Sequence, residues 1–288
     1  MLEGTYTLRI LENFFDLLFV VGPYLLISIG LNAGVSRYFS GRRISFSKKS
    51  EMLSIGSAAL IGLVSPLPTY AAIPIGLSLV PGGVPLSAVL AFVVSSPLMN
   101  PSIFFLTATQ LGIEMAVART LTAFLLGVCS GICVMKMPRL FPIPDLSPKP
   151  AARQFTRRTF PMELYRSGRY ASKYFSIALL LSAAVKALIP SETVVALLGS
   201  HNTSGTLIAI AMGVPFYSCG GAAIPFMQTL MNLGMSKGAT LAFFTAGPAT
   251  KIETLYAFKS ILGIRMLVFY LAVVTGFSFL AGSLYGLL

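Results

Sequence analysis

The residues able to do chemistry cluster in two interrupted apolar stretches. The first reads Tyr217, Ser218, Cys219, Gly220 and Gly221, with Pro225 shortly after. Its glycines let backbone N–H groups approach a ligand, and Cys219 offers a soft sulfur contact. The second reads Gly247, Pro248, Ala249, Thr250, Lys251 and Glu253. There Lys251 suits an anionic group and Glu253 a coupling proton, the alternative being that both snorkel to the water interface. Pro66, Pro68, Thr69, Pro97 and Asn100 form the corresponding set in the N-terminal half. Asp16, near the start of the first apolar run, is a further candidate for proton coupling.

These residues matter because of where they interrupt. Within hydrocarbon, each N–H or C=O freed by a break costs several kcal/mol, so irregular backbone survives only when buried in protein or facing a watery cavity. A break also leaves bare N–H groups on one half-helix and carbonyls on the other, which suits ions or polar solutes.

The elements that must position them are membrane helices. The chain has 288 residues, 55% apolar and 10% charged, whereas charged residues supply about a quarter of an ordinary soluble domain. The run from Phe14 to Val35 is too long for a signal-peptide core and reads as a retained span. The net charge of +12 is not a nucleic-acid footprint. Five Lys and Arg lie in Arg37 to Lys49 and nine in Lys136 to Lys173, the positive-inside pattern of loops beside anionic lipid.

Apolar runs fall at about 12–36, 52–81, 84–110, 113–135, 173–190, 205–232, 238–258 and 263–288, several with internal proline. They are doubled at an offset of 151 residues. Identities recur over 70 ungapped positions, among them Pro74 with Pro225, Pro97 with Pro248, Gly83 with Gly234 and Gly112 with Gly263. If both basic segments share one side, an even number of crossings separates residues 50 and 136, although three runs lie between them. One run is then re-entrant or split, and the halves are inverted. Four full spans per half in parallel is the alternative. The predicted fold is an all-α polytopic membrane protein with about eight apolar helical segments. Its repeats cover 1–135 and 173–288, joined by a basic cytoplasmic linker at 136–172 in which Arg157 to Tyr174 suits an interfacial helix.

Several chemistries are excluded. No GxxxxGK[ST] loop or HExxH string occurs, and nine acidic residues with one histidine, His201, supply no catalytic constellation. No CxxC spacing exists, so neither metal nor cofactor is expected. Cys129 and Cys133, four apart on one helix face, read as packing residues, with a shared thiophilic contact as the alternative. Glu114, Lys259 and Arg265 adjoin predicted ends and read as interfacial anchors; Glu12, Arg119 and Lys186 lie in or beside other runs.

The string GVPFYSCGGAAIP, followed by LGMSKGATLAFFTAGPATKIETLYAFKSILG, resembles the second-half signature of a family of predicted permeases. Its best-understood branch comprises efflux permeases for trivalent organoarsenicals. SPLPTYAAIP and AFVVSSPLMNPSIF are similar to that family's first signature. Members often carry cysteines there; Pro68 and Thr69 stand in their place here, leaving Cys219 in a signature position. The resemblance implies a multi-pass permease of the inner membrane, exporting a small thiophilic or anionic solute. A passive channel is the first alternative and a membrane-embedded thiol oxidoreductase the second. The expected partners are the bilayer and a small-molecule substrate, with homo-oligomerisation open.

Overall fold

The computed structural model describes residues 2–39, 50–65, 67, 69–80, 83–137, 160–199, 203–216, 221 and 223–287. Among these residues every regular element is helical. The N-terminal half contains α1 (Leu2–Phe39), α2 (Glu51–Val64), α3 (Thr69–Leu77), α4 (Leu86–Ser95), α5 (Pro101–Gln110) and α6 (Ile113–Lys136). The C-terminal half contains α7 (Phe160–Leu188), α8 (Ser191–Leu198), α9 (Thr203–Phe216), α10 (Ala223–Asn232), α11 (Lys237–Thr250), α12 (Ile252–Ala257), a π-helical turn (Phe258–Leu262) and α13 (Gly263–Tyr285).

Four of the apolar runs are thus each two helices, and Leu2–Phe39 is longer than its run. α7 crosses the boundary drawn at residue 173, continuing the expected interfacial segment into the apolar run. Among the described residues, α6 and α13 are the helices long and apolar enough to cross a bilayer unaided, and Leu179–Leu188 of α7 with α8 adds a pair bent by 105°. At ~1.5 Å per residue, α6 spans ~36 Å, enough for hydrocarbon of ~30 Å. Only 28% of the most apolar window of α13 is buried, so the rest of that helix needs an apolar surrounding.

Small residues set the level of each short helix against these two. A Cβ built on Gly131 would lie 2.8 Å from the Ser87 carbonyl oxygen, and one on Gly127 3.1 Å from the Ser95 Cβ. α4 therefore runs antiparallel to α6 and stops near the middle of it. α5 continues the path, with Thr107 reaching Arg119, before α6 begins at Ile113. α2 runs beside α4 in the same sense, from Glu51, which accepts from Ser87 at 2.6 Å, to Gly62, which abuts Ser95. α3 returns, bringing Gly76 beside Val89. The end where α2 starts and α6 stops adjoins both basic segments in sequence and is called the basic end below.

α11 runs opposite in sense to α4. Lys237, at the start of α11, pairs with Glu114, at the start of α6, at 3.2 Å. α11 therefore begins at the end opposite the one where α4 begins. Gly238 and Ala242 abut Gly282 of α13, and Gly213 of α9 lies against Gly247, a Cβ there meeting the Gly247 Cα at 3.1 Å. The helix-to-helix turns match too. Gly83 and Gly234 both take positive φ, where a side chain would be strained. Val84 N donates to Leu79 O, and Met235 N donates to Leu230 O.

The two halves interlock. One core joins α2, α3, α4 and α6 to Phe258, Met266, Tyr270 and Val274; the other joins α7 to α11 with Val21 and Leu106.

Candidate transport site

In the N-terminal half the two interruptions touch. Ser96 Oγ, just past α4, donates to the Leu67 carbonyl between α2 and α3 at 2.8 Å. Both residues are buried, so the bond satisfies a carbonyl that the broken backbone would otherwise leave bare. Ser65, at the end of α2, is fully buried, and its hydroxyl has no hydrogen-bond partner among the described residues. Asn100 is half-buried and caps α5, its side chain accepting from Ile103 N at 2.9 Å. Pro101 occupies the first turn, where a missing N–H costs nothing. Pro97 is half-buried in the turn between them, and Thr69 is the first residue of α3.

The C-terminal interruption differs from expectation. Gly247 and Pro248 do not end α11; both are buried in it, and the helix runs through to Thr250. The break is Lys251 alone, with φ −59° and ψ 135°, half-buried between α11 and α12. Thr250 Oγ1 donates to the Gly247 carbonyl at 3.2 Å, and Thr254 Oγ1 to the Pro248 carbonyl at 3.0 Å. These hydroxyls replace amides that the break removes. Glu253 lies in the first turn of α12. Pro225 is likewise inside a helix, in the first turn of α10 and buried, so proline geometry is compatible with continuation.

Gly221 is the described residue of the other break, and a Cβ there would sit 3.5 Å from Leu106 of α5. α10 packs on α5, and α3 packs on α12, so each interrupted pair reaches across to the other half. Tyr217, Ser218, Cys219, Gly220, Pro66 and Pro68 lie outside the described residues. Asp16 is not brought to this region by any described contact; it lies on an exposed flank of α1. Cys129 and Cys133 are free and half-buried on α6. They lie beyond Gly127 towards the basic end, past the level of the Ser95 break.

Sequence reading underrated Arg119. It is 4% exposed inside an apolar helix. Its Nη1 donates to Thr107 Oγ1 at 2.6 Å, and its guanidinium lies 3.8 Å from the Phe244 ring centroid. It thus ties α6 to α5 and to α11 of the other half. The signal was its position, seven residues into a 24-residue apolar helix, where a cation is expensive and usually has work to do.

A family model described as "Predicted permease" matches residues 8–287. The chain is 26% identical over 290 residues to the UPF0718 protein YcgR of Bacillus subtilis, covering 96% of each. It is 30% identical over 112 residues to the UPF0718 protein MJ0584 of Methanocaldococcus jannaschii, covering 39% of this chain and 31% of that protein. No solved structure matches.

Proposed function

The chain belongs to the predicted permease family, and from that premise we propose that it is a secondary transporter whose substrate site lies where the helix interruptions converge. The observation that carries the reading is the Ser96–Leu67 bond, which joins two backbone breaks at the depth of the middle of α6. Breaks at that depth are stable when they line a site, because free backbone polar groups in lipid have no other partner.

The reading includes an inverted repeat. The four positive-φ glycines among the described residues, Gly83, Gly112, Gly234 and Gly263, fall into two pairs 151 apart. The Gly131–Ser87 and Gly282–Gly238 contacts are related by the same offset, while α4 and α11 run in opposite senses. On this reading α1, α4 with α5, and α6 cross the membrane, α2 with α3 is re-entrant, and the C-terminal half repeats the scheme upside down. Both basic segments then face the cytoplasm of a multi-pass inner-membrane protein.

For substrate we propose a small thiophilic or anionic solute, exported. Lys251 supplies the cation in the C-terminal break, where Asn100 supplies an amide in the N-terminal one. Cys219 supplies the soft contact, with Tyr217, Ser218, Gly220, Gly221, Thr250, Pro66, Pro68 and Thr69 around the site and Glu253 or Asp16 as proton carrier. The test is flux in sealed vesicles, with and without a pH gradient, across trivalent organoarsenicals, thiols and small anions. Accumulation against a gradient supports the transporter; equilibration alone indicates a channel. Cys219→Ser abolishes flux of a soft metalloid and spares that of a hard anion, and Lys251→Ala does the reverse.

A further inference from the structure

The two halves are not in the same conformation where they meet. α6 packs along α11 near the end opposite the basic segments. Two contacts fasten that junction. Lys237 pairs with Glu114 at 3.2 Å on the surface. About 8 Å deeper along α6, Arg119 bonds Thr107 and lies over Phe244. The related junction at the basic end, by the offset of 151, joins α13 to α4. Tyr270 stands for Arg119 there, Phe258 for Thr107, Val93 for Phe244, Arg265 for Glu114 and Leu86 for Lys237. Tyr270 stacks on Phe258, centroids 4.0 Å apart and planes 13° apart, in its own half. Among the described residues α13 packs on α4 less extensively than α6 packs on α11, although Met266, Tyr270 and Val274 share a buried core with α4.

We propose that the α6–α11 junction is the gate at the end opposite the basic segments, with Arg119 as its positioning residue, and that the structure holds this gate closed. This rests on the permease reading above. An inverted repeat exchanges the conformations of its halves when access alternates. The alternate state then parts Arg119 from Phe244 and closes α13 onto α4. The cation–ring contact crosses between halves and is broken in that state. The Tyr270–Phe258 stack lies within one half and survives it. Arg119 thus biases the equilibrium towards the state seen, because it interacts across the junction in one state only.

The test uses the full chain in lipid vesicles, with Cys129→Ser, Cys133→Ser and Cys219→Ser, and two engineered pairs: Glu114→Cys with Lys237→Cys, and Leu86→Cys with Arg265→Cys. A short bifunctional thiol reagent joins the first pair readily and the second poorly in the parent chain. Arg119→Ala shifts the ratio of the two yields about tenfold towards the second pair, and Thr107→Val about threefold the same way. Arg119→Lys, which keeps the charge but loses the planar stack, falls between. A ratio unchanged in both alanine and valine variants, or both yields falling together, overturns the gate. The readout needs no substrate, and flux is followed separately in the chain that keeps Cys219: intact flux with an unchanged ratio sinks the gate and spares the permease reading, while absent flux with a shifted ratio does the opposite.

Discussion

Arg119 and Tyr270 stand 151 residues apart, the offset at which the sequence repeats its identities, yet they hold different partners. Arg119 sends its charge sideways into the other half, onto Phe244, and bonds Thr107 in its own. Tyr270 turns back onto Phe258 and stays within its half. The frame that positions them is the same: a small-residue contact further along each helix, Gly131 on Ser87 and Gly282 on Gly238. On the proposed reading, similar small-residue contacts beside unlike side chains teach that the repeat sets the architecture while the substituted residues set which end is closed. The breaks differ likewise: Asn100 caps α5 through its side chain, whereas Lys251 precedes α12 without a side-chain cap bond.

The contrast can be broken by mutation, starting with its strongest limb. Arg119→Leu removes a buried charge-assisted hydrogen bond and a desolvated cation–ring contact, and should cost about 3 kcal/mol in unfolding experiments. Tyr270→Phe keeps the stacked ring and should cost under about 1 kcal/mol; equal costs would erase the distinction. At the breaks, Lys251→Ala should lower flux of an anionic solute about fiftyfold, some 2.3 kcal/mol at ~1.4 kcal/mol per decade. Asn100→Ala, which loses a helix cap, should lower it about fivefold, as cap deletions cost about 1 kcal/mol.

The shared frame makes the complementary prediction. Gly131→Val and Gly282→Val each force a side chain against a carbonyl and should destabilise by about 2 kcal/mol apiece, measured as paired shifts in thermal unfolding. A large difference between them would mean that the two contacts are not equivalent. Smallest of all, Glu114→Gln should cost about 0.5 kcal/mol or less, since both partners of its ion pair are well exposed, and high salt should abolish even that.

How much of this was readable in the chain depends on range. Glycines that must turn the backbone, Gly83 with Gly234 and Gly112 with Gly263, were legible as paired positions because backbone geometry restricts what can stand there. The breaks were legible only approximately. Pro248 and Pro225 mark the neighbourhood of an interruption, but each fits a helix, and the chain departs from helix at Lys251 instead. The apolar run 173–190 stops short of the helix Ser191–Leu198 because Ser191, Glu192 and Thr193 at its start dilute the apolar signal. Arg119 could not be weighted correctly, since its partners Thr107 and Phe244 are 12 and 125 residues away along the chain. Asp16 is marked by being an acid in an apolar run, while the exposed flank of α1 it occupies depends on packing that one sequence does not display.

The central claim is that the broken helices meet at a water-reachable place halfway through the bilayer. The most direct measurement places one cysteine at a time, Asn100→Cys and then Lys251→Cys, in a chain with its three native cysteines replaced by serine, and treats oriented vesicles with a membrane-impermeant thiol reagent. The account predicts that both positions react from the side bearing the basic segments, and that a transported solute protects both. Reaction at neither position, or only with a lipid-soluble reagent, would contradict it.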